Sequence, residues 1–223
     1  TGASGGIGSA VAKQRASEGY TLALFGNNSS SALEETAQKC RDLGAVVHTF
    51  YANLGNPDDA CAGVDKAAHT LQHVDLLVNG AGISYVGLAT DMSNEEWMNI
   101  LQTNLSSQFY CCRTVIPYMV HEKKGRILNF SSIWGNTGAS CEVAYSATKG
   151  GVNALTKSLA KELAPSGIAV NALACGMIDT PMNGCFSEEE IAAICDEIPA
   201  GRMGTPQEAA EMISLLAKAP VYL

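Results

Sequence analysis

Thr1-Gly-Ala-Ser-Gly-Gly-Ile-Gly8 opens the chain and runs directly into Ser9–Gly19. Its glycines at 2, 6 and 8 make a G-x-x-x-G-x-G spacing. A glycine loop that feeds a helix N-terminus lets backbone amides approach a phosphate, and the helix dipole favours the anion there. Ser9–Gly19 has helical spacing, with Val11, Ala12 and Ala16 on one face and Gly19 placed to end it. Thr21–Phe25 follows as a short apolar run, the pattern of a buried strand. Loop, helix and strand in this order form the opening unit of a parallel α/β sheet. A glycine pattern alone also suits a tight turn, so the rest of the chain has to decide.

Working outward, the same alternation continues. Ser30 or Ser31 can cap a helix over 32–43, and 45–51 reads as a strand. Asn56-Pro57-Asp58 starts a helix that reaches about His73, and Val74–Val78 is a strand ending in Asn79-Gly-Ala-Gly82. Asn94–Val120 is a long helical region with Trp97, Ile100, Leu101, Leu105 and Phe109 at helical spacing. A strand over 125–130 delivers Ser131 and Ser132. A helix opens at Tyr145, a strand spans 168–173, and helices cover 187–198 and 206–216. Short apolar strands alternating with helices predict a parallel sheet covered on both faces, in one domain over residues 1–223. The loop begins at Thr1 with no strand before it, and Pro220-Val-Tyr-Leu223 reads as the start of a further element. Both ends point to a longer protein whose first strand and C-terminal segment lie outside this sequence.

Composition narrows the function. At 223 residues, 47% hydrophobic, the chain can bury a sizeable core, and a net charge of −8 argues against a nucleic-acid surface. Lys123, Lys124 and Arg126 are the one notable basic cluster, which reads as a solvated turn. The eight cysteines form no C-x-x-C and no zinc spacing with histidine, so no metal site is expected. Free thiols at this density suit a reducing cytoplasm, and Cys111-Cys112 reads as packing. No apolar run approaches the roughly 20 residues that span a bilayer, so no membrane partner is expected.

The chemistry concentrates in Ser132–Lys149. In Tyr145-x-x-x-Lys149 the two side chains share a helix face. A nearby ammonium favours the phenolate, so this spacing predicts a tyrosine tuned toward neutral pH for proton transfer. The plainer reading is a packed tyrosine beside a surface lysine.

With these motifs in order, the chain resembles the short-chain dehydrogenases/reductases. The resemblance rests on Thr1-Gly-x-x-x-Gly-x-Gly8, Asn79-Gly-Ala-Gly82, Asn104, Ser132, Tyr145 and Lys149, and covers essentially the whole chain. The thirteen-residue step from Ser132 to Tyr145 is that of the 3-oxoacyl-[acyl-carrier-protein] reductases. The resemblance implies a Rossmann-type, doubly wound, three-layer α/β/α fold and an NAD(P)-dependent carbonyl reductase. It implies that Tyr145 protonates the substrate carbonyl, Ser132 holds its oxygen, and Lys149 binds ribose and tunes Tyr145. Asn104 would support Lys149 through a water and a proton path. It further implies cofactor contacts from Gly2, Ser4, Gly6, Ile7, Gly8, Asn27, Asn28, Ser29, Asn53, Leu54, Asn79, Ala81, Gly82, Tyr145, Lys149, Ile178 and Thr180.

Departures from the family pattern carry further expectations. Cys175 replaces a proline in Ala174-Cys-Gly-Met-Ile-Asp-Thr180, which predicts a looser loop. Asn53 stands where an aspartate is common, and Gly80 replaces an asparagine. Gly26-Asn-Asn-Ser29 offers no carboxylate to hold a ribose 2′-hydroxyl, which predicts NADP(H) over NAD(H). The helices over 94–120 and 145–164 resemble those that pair subunits, which predicts a homotetramer with Leu101, Phe109, Leu155 and Leu159 in surplus for one core. Ser131-Ser-Ile-Trp-Gly-x-x-Gly-Ala-Ser-Cys-Glu142 also resembles the reductases of the 5-aminopentanone modification on elongation factor P. In that reading Glu142 and Trp134 hold a substrate ammonium; in the plainer one Glu142 caps the helix at Tyr145. A non-catalytic dinucleotide sensor on the same fold is the third reading.

Overall fold

The computed structural model describes residues 1–27 and 31–220. The chain lays down α1 (Gly6–Ser17), β1 (Leu22–Gly26), α2 (Ser31–Asp42), β2 (Val47–Tyr51), α3 (Pro57–Leu71) and β3 (Leu76–Asn79). Then come α4 (Asn94–Leu101), α5 (Ser107–Glu122), β4 (Gly125–Ser132), α6 (Trp134–Thr137), α7 (Val143–Leu163), β5 (Ile168–Cys175), α8 (Glu188–Glu197) and α9 (Pro206–Lys218). Local chemistry accounts for many of the starts. Asn56 accepts from the amides of Asp58 and Asp59 ahead of Pro57, while Ser93, Ser187 and Thr205 each form a reciprocal capping box with the glutamate three residues on.

All pairings among the described strands are parallel: β1 with β2, and β4 between β3 and β5. Residues 1–3 lie between the two groups, because the Thr1 amino group donates to Val78 O at 2.7 Å and Ala3 N to Phe25 O at 3.2 Å. Farther along the strands the same interval is a cleft of about 440 Å³, with Leu22, Leu24, Leu77 and Val115 among its apolar lining. Helices α3, α5 and α7 cover one face through Val64, Cys112, Met119 and Leu159; α1 and α9 cover the other through Val11, Ala210 and Ile213. This is the three-layer, doubly wound arrangement expected of a Rossmann-type sheet.

Three expectations need correction. Glycines 6 and 8 lie inside the first turns of α1, since the loop passes straight into helix at Gly6. Cys175 is the last residue of β5, in register with Ser132, and its carbonyl accepts from Ile133 N at 2.9 Å. The strand therefore runs through the position expected to loosen. Arg126 is buried and donates to the carbonyls of Leu216 and Ala219, so it ties β4 to the end of α9 and does not belong to a solvated turn. The cap position of α2 lies outside the described residues.

Candidate active site

The site forms at the C-terminal ends of the strands, where parallel α/β sheets collect their ligands. Gly2 has φ +70°, and a Cβ there would stand 2.6 Å from Gly80 O; one on Gly8 would stand 2.1 Å from Gly2 O. No side chain fits either position, so the loop packs backbone on backbone. Gly5 precedes α1 without a side-chain cap, and the first turn of α1 carries no acidic residue. Its amides are thus left to meet an anion. These features fit a dinucleotide pyrophosphate.

Other predicted contacts gather near this loop, in part. The Thr180 methyl lies against Gly6, 2.8 Å from where a Cβ would be, and Ser4, Gly5, Gly6 and Pro181 line one groove. Ile178 bridges to Gly204, and its carbonyl accepts from Asn183 Nδ2 at 2.7 Å. Asn27 is exposed just past β1, while Asn28 and Ser29 lie outside the described residues. Several side chains turn away. Ile7 and Leu54 pack into the core, and Asn53 Oδ1 accepts from Gly55 N at 3.1 Å within its own turn. Asn79 is buried, donating to Asn129 Oδ1 at 2.9 Å and to Cys112 Sγ at 3.3 Å.

β4 places Ser132 at its end, and α7 returns Tyr145 and Lys149 beside it. The Ser132 hydroxyl lies near enough to the Tyr145 phenol to lower its pKa, and it accepts from Trp134 N at 3.2 Å. Lys149 donates to Phe130 O at 2.9 Å, with its ammonium 5.4 Å from the Tyr145 ring centroid. Ser131 Oγ donates to Lys149 O at 3.2 Å and pins α7 to β4. Gly82 fills the remaining corner, since a Cβ there would stand 3.3 Å from Asn104 Oδ1 and 3.8 Å from Lys149 Nζ. Ala81 packs against the core behind it.

Electrostatics at the site differ from the sequence expectation. Burial dominates and pushes Tyr145 up to about 12, against the lowering effect of the Ser132 hydroxyl, with Glu142 and Cys175 raising it further. Burial also brings Lys149 down to about 8. The lysine is engaged by a carbonyl and sits over the ring, so the predicted downward tuning of the phenol does not appear. Cys175, across the strand pair from Ser132, is held up at about 11 by burial, with Lys149 acting in the opposite direction.

Glu142 is the N-cap residue of α7, the place the plainer reading gave it, although its side chain makes no capping hydrogen bond. Burial raises the pKa of its carboxylate, and the nearby Trp134 side chain acts in the opposite direction. Asn104 sits in a π turn, Gln102–Ser106, between α4 and α5. Its Oδ1 accepts from Ile83 N at 2.8 Å, and its Nδ2 donates to Ile83 O at 2.8 Å and Thr148 Oγ1 at 3.3 Å. Thr148 and the Phe130 carbonyl were not singled out in the sequence, and Ser131 was named there without a role of its own. The only signal for the first was its place beside Lys149.

A proton donor, a hydroxyl partner and a buried ammonium beside a dinucleotide cradle are suited to interconverting a carbonyl and an alcohol. Fold and site together define a dinucleotide-dependent oxidoreductase. The family model described as short chain dehydrogenase matches residues 1–191, and the chain belongs to that family, whose members use NAD(P). Among its relatives, the uncharacterized oxidoreductase YmfI of Bacillus subtilis (strain 168) is 42% identical over 97% of this chain and 88% of that protein. Nodulation protein G of Rhizobium sp. (strain N33) is 38% identical over 97% and 87%. The 3-oxoacyl-[acyl-carrier-protein] reductase FabG of Staphylococcus aureus (strain Mu50 / ATCC 700699) is 36% identical over 97% and 88%. Among the described residues, no helix is long and apolar enough to cross a membrane, and no group of His, Cys, Asp and Glu is arranged to hold a metal ion.

Proposed function

We propose that this chain is an NADPH-dependent carbonyl reductase of the 3-oxoacyl thioester type, working as a cytoplasmic homotetramer with neither nucleic acid nor membrane as partner. The observation that carries the reading is buried Lys149 with its ammonium 5.4 Å from the Tyr145 ring, beside Ser132 at the end of β4. Tyr145, held protonated, gives its proton to the substrate oxygen, and Ser132 holds that oxygen in place. Bound nicotinamide supplies the hydride. The preference for NADPH rests on Gly26 and Asn27 at the end of β1, where no carboxylate meets a 2′-phosphate. The test is turnover of an acetoacetyl thioester with each cofactor. NADPH should win by at least about tenfold in kcat/KM, and Tyr145→Phe should lower kcat by about 10²- to 10⁴-fold while dinucleotide still binds. Equal use of both cofactors refutes the preference. Full activity in the phenylalanine variant refutes the site. No turnover of any carbonyl returns the dinucleotide-sensor reading.

One observation favours a second reading. The Glu142 side chain makes no capping hydrogen bond, is partly buried near Trp134, and lies close enough to Tyr145 to raise its pKa. A carboxylate and an aromatic face suit a substrate carrying an ammonium a few bonds from its carbonyl, as the 5-aminopentanone group on elongation factor P does. Glu142→Gln should then lose activity selectively on that modified protein. Equal effects on it and on acetoacetyl thioester favour the first reading.

A further inference from the structure

The helical run from α4 to α5 widens over Gln102–Ser106, where Ser107 N reaches back five residues to Gln102 O. Such a turn takes neighbouring carbonyls away from their regular amide partners. Two side chains donate to main-chain carbonyls within this turn. Ser107 Oγ donates to Thr103 O at 2.6 Å, and Gln108 Nε2 donates to Asn104 O at 3.1 Å.

Gln108 is only 1% exposed, and among the described residues its Oε1 has no hydrogen-bond partner. An unpaired buried acceptor costs free energy that an apolar side chain of similar size avoids. The donor end of the amide is therefore the useful one, and it serves the main chain of Asn104. Asn104 in turn clamps Ile83 by both its amide and its carbonyl, and reaches Thr148, the neighbour of Lys149. We propose that Gln108 is a positioning residue for the reaction: by holding the Asn104 carbonyl it sets the clamp on Ile83 and Thr148 that fixes the surroundings of Lys149. This rests on the carbonyl-reductase reading of the site.

Two variants test it. Gln108→Leu keeps the bulk and removes the donor. Its kcat on acetoacetyl thioester should fall at least about tenfold, because small misplacements at a reacting centre are expensive, with NADPH affinity within about twofold of wild type. Hydrogen exchange at the Ile83 amide, which donates to Asn104, should quicken by about tenfold, with core amides unchanged. Gln108→Glu places a buried carboxyl that donates to the Asn104 carbonyl while protonated and cannot once ionised. Its kcat should approach wild type at low pH and fall as pH rises, through a step absent from the wild-type profile.

Wild-type kcat and Ile83 exchange in the leucine variant overturn the proposal. So does a uniform rise in exchange across the core, which marks mere packing. If the leucine variant does not fold, a wild-type pH profile in the glutamate variant overturns it. If the wild type reduces no carbonyl, the functional reading fails alone, and Ile83 exchange still decides the role of Gln108.

Discussion

Lys149 is an ammonium buried to 5% exposure, and the folded protein bears a penalty for keeping it. Burial lowers its pKa from 10.5 to about 8. Below pH 8 both folded and unfolded chains carry the proton, so the whole penalty is felt. Between 8 and 10.5 the folded protein releases its proton first, and the penalty fades as pH rises. Lys149→Met should therefore stabilise the cofactor-free protein at pH 7, by no more than about 3 kcal/mol, with the gain shrinking toward pH 10. Urea unfolding at the two pH values checks this, and a variant less stable than wild type at pH 7 contradicts it. The i, i+4 spacing pointed to Tyr145 and Lys149, the family resemblance added Ser132 and Asn104, and the fold brings these four residues to one place. Their charge states were not legible in the sequence, because an i, i+4 spacing shows proximity and says nothing of burial. Contacts made to backbone, such as Lys149 with Phe130 O, were invisible too, since any residue type supplies a carbonyl.

At the scale of elements, helices announced themselves where side chains cap them. The Asn56-Pro57 start and the α9 start at Pro206 were both read correctly. Thr205→Ala removes the α9 cap and should cost about 1 kcal/mol, while leaving kcat unchanged. Thermal unfolding beside an activity assay measures both; an unchanged melting temperature would show that the cap is idle. The π turn escaped reading because shifting one hydrogen bond from four residues to five leaves the apolar spacing almost intact. β5 was read two residues short because Ala174 and Cys175 were assigned to a loop by comparison with a proline. The register with Ser132 overrides that comparison.

For the whole molecule, alternation of strand and helix sufficed to give the layers, since sheet faces must be covered. The division of apolar residues between core and surface was harder. Leu159 was expected to be surplus, yet it lies in the core, and Leu155 packs against it. Phe109, also expected in surplus, is 43% exposed, and Trp97, Met98, Val120 and Val143 are further outward apolar residues on these helices. A homotetramer built on this face should be broken by Phe109→Asp, which buries a charge at the contact. Light scattering on the full-length protein should give a tetramer for wild type and a smaller species for the variant. A monomeric wild type rules the assembly out.

Cys175 places sulfur within the electrostatic reach of the reacting groups, in a form that hardly reacts. Electrophiles and peroxides attack thiolates, and a group held at about 11 exposes roughly one part in ten thousand of its thiolate at pH 7. Partial burial thus slows attack on Cys175 by keeping it protonated. The centre keeps a polarizable, compact side chain next to its lysine without acquiring the fragility of a redox-sensitive enzyme. Exposed Cys185 should therefore react with a thiol reagent well before Cys175, which mass-spectrometric mapping of the labelled residues would measure.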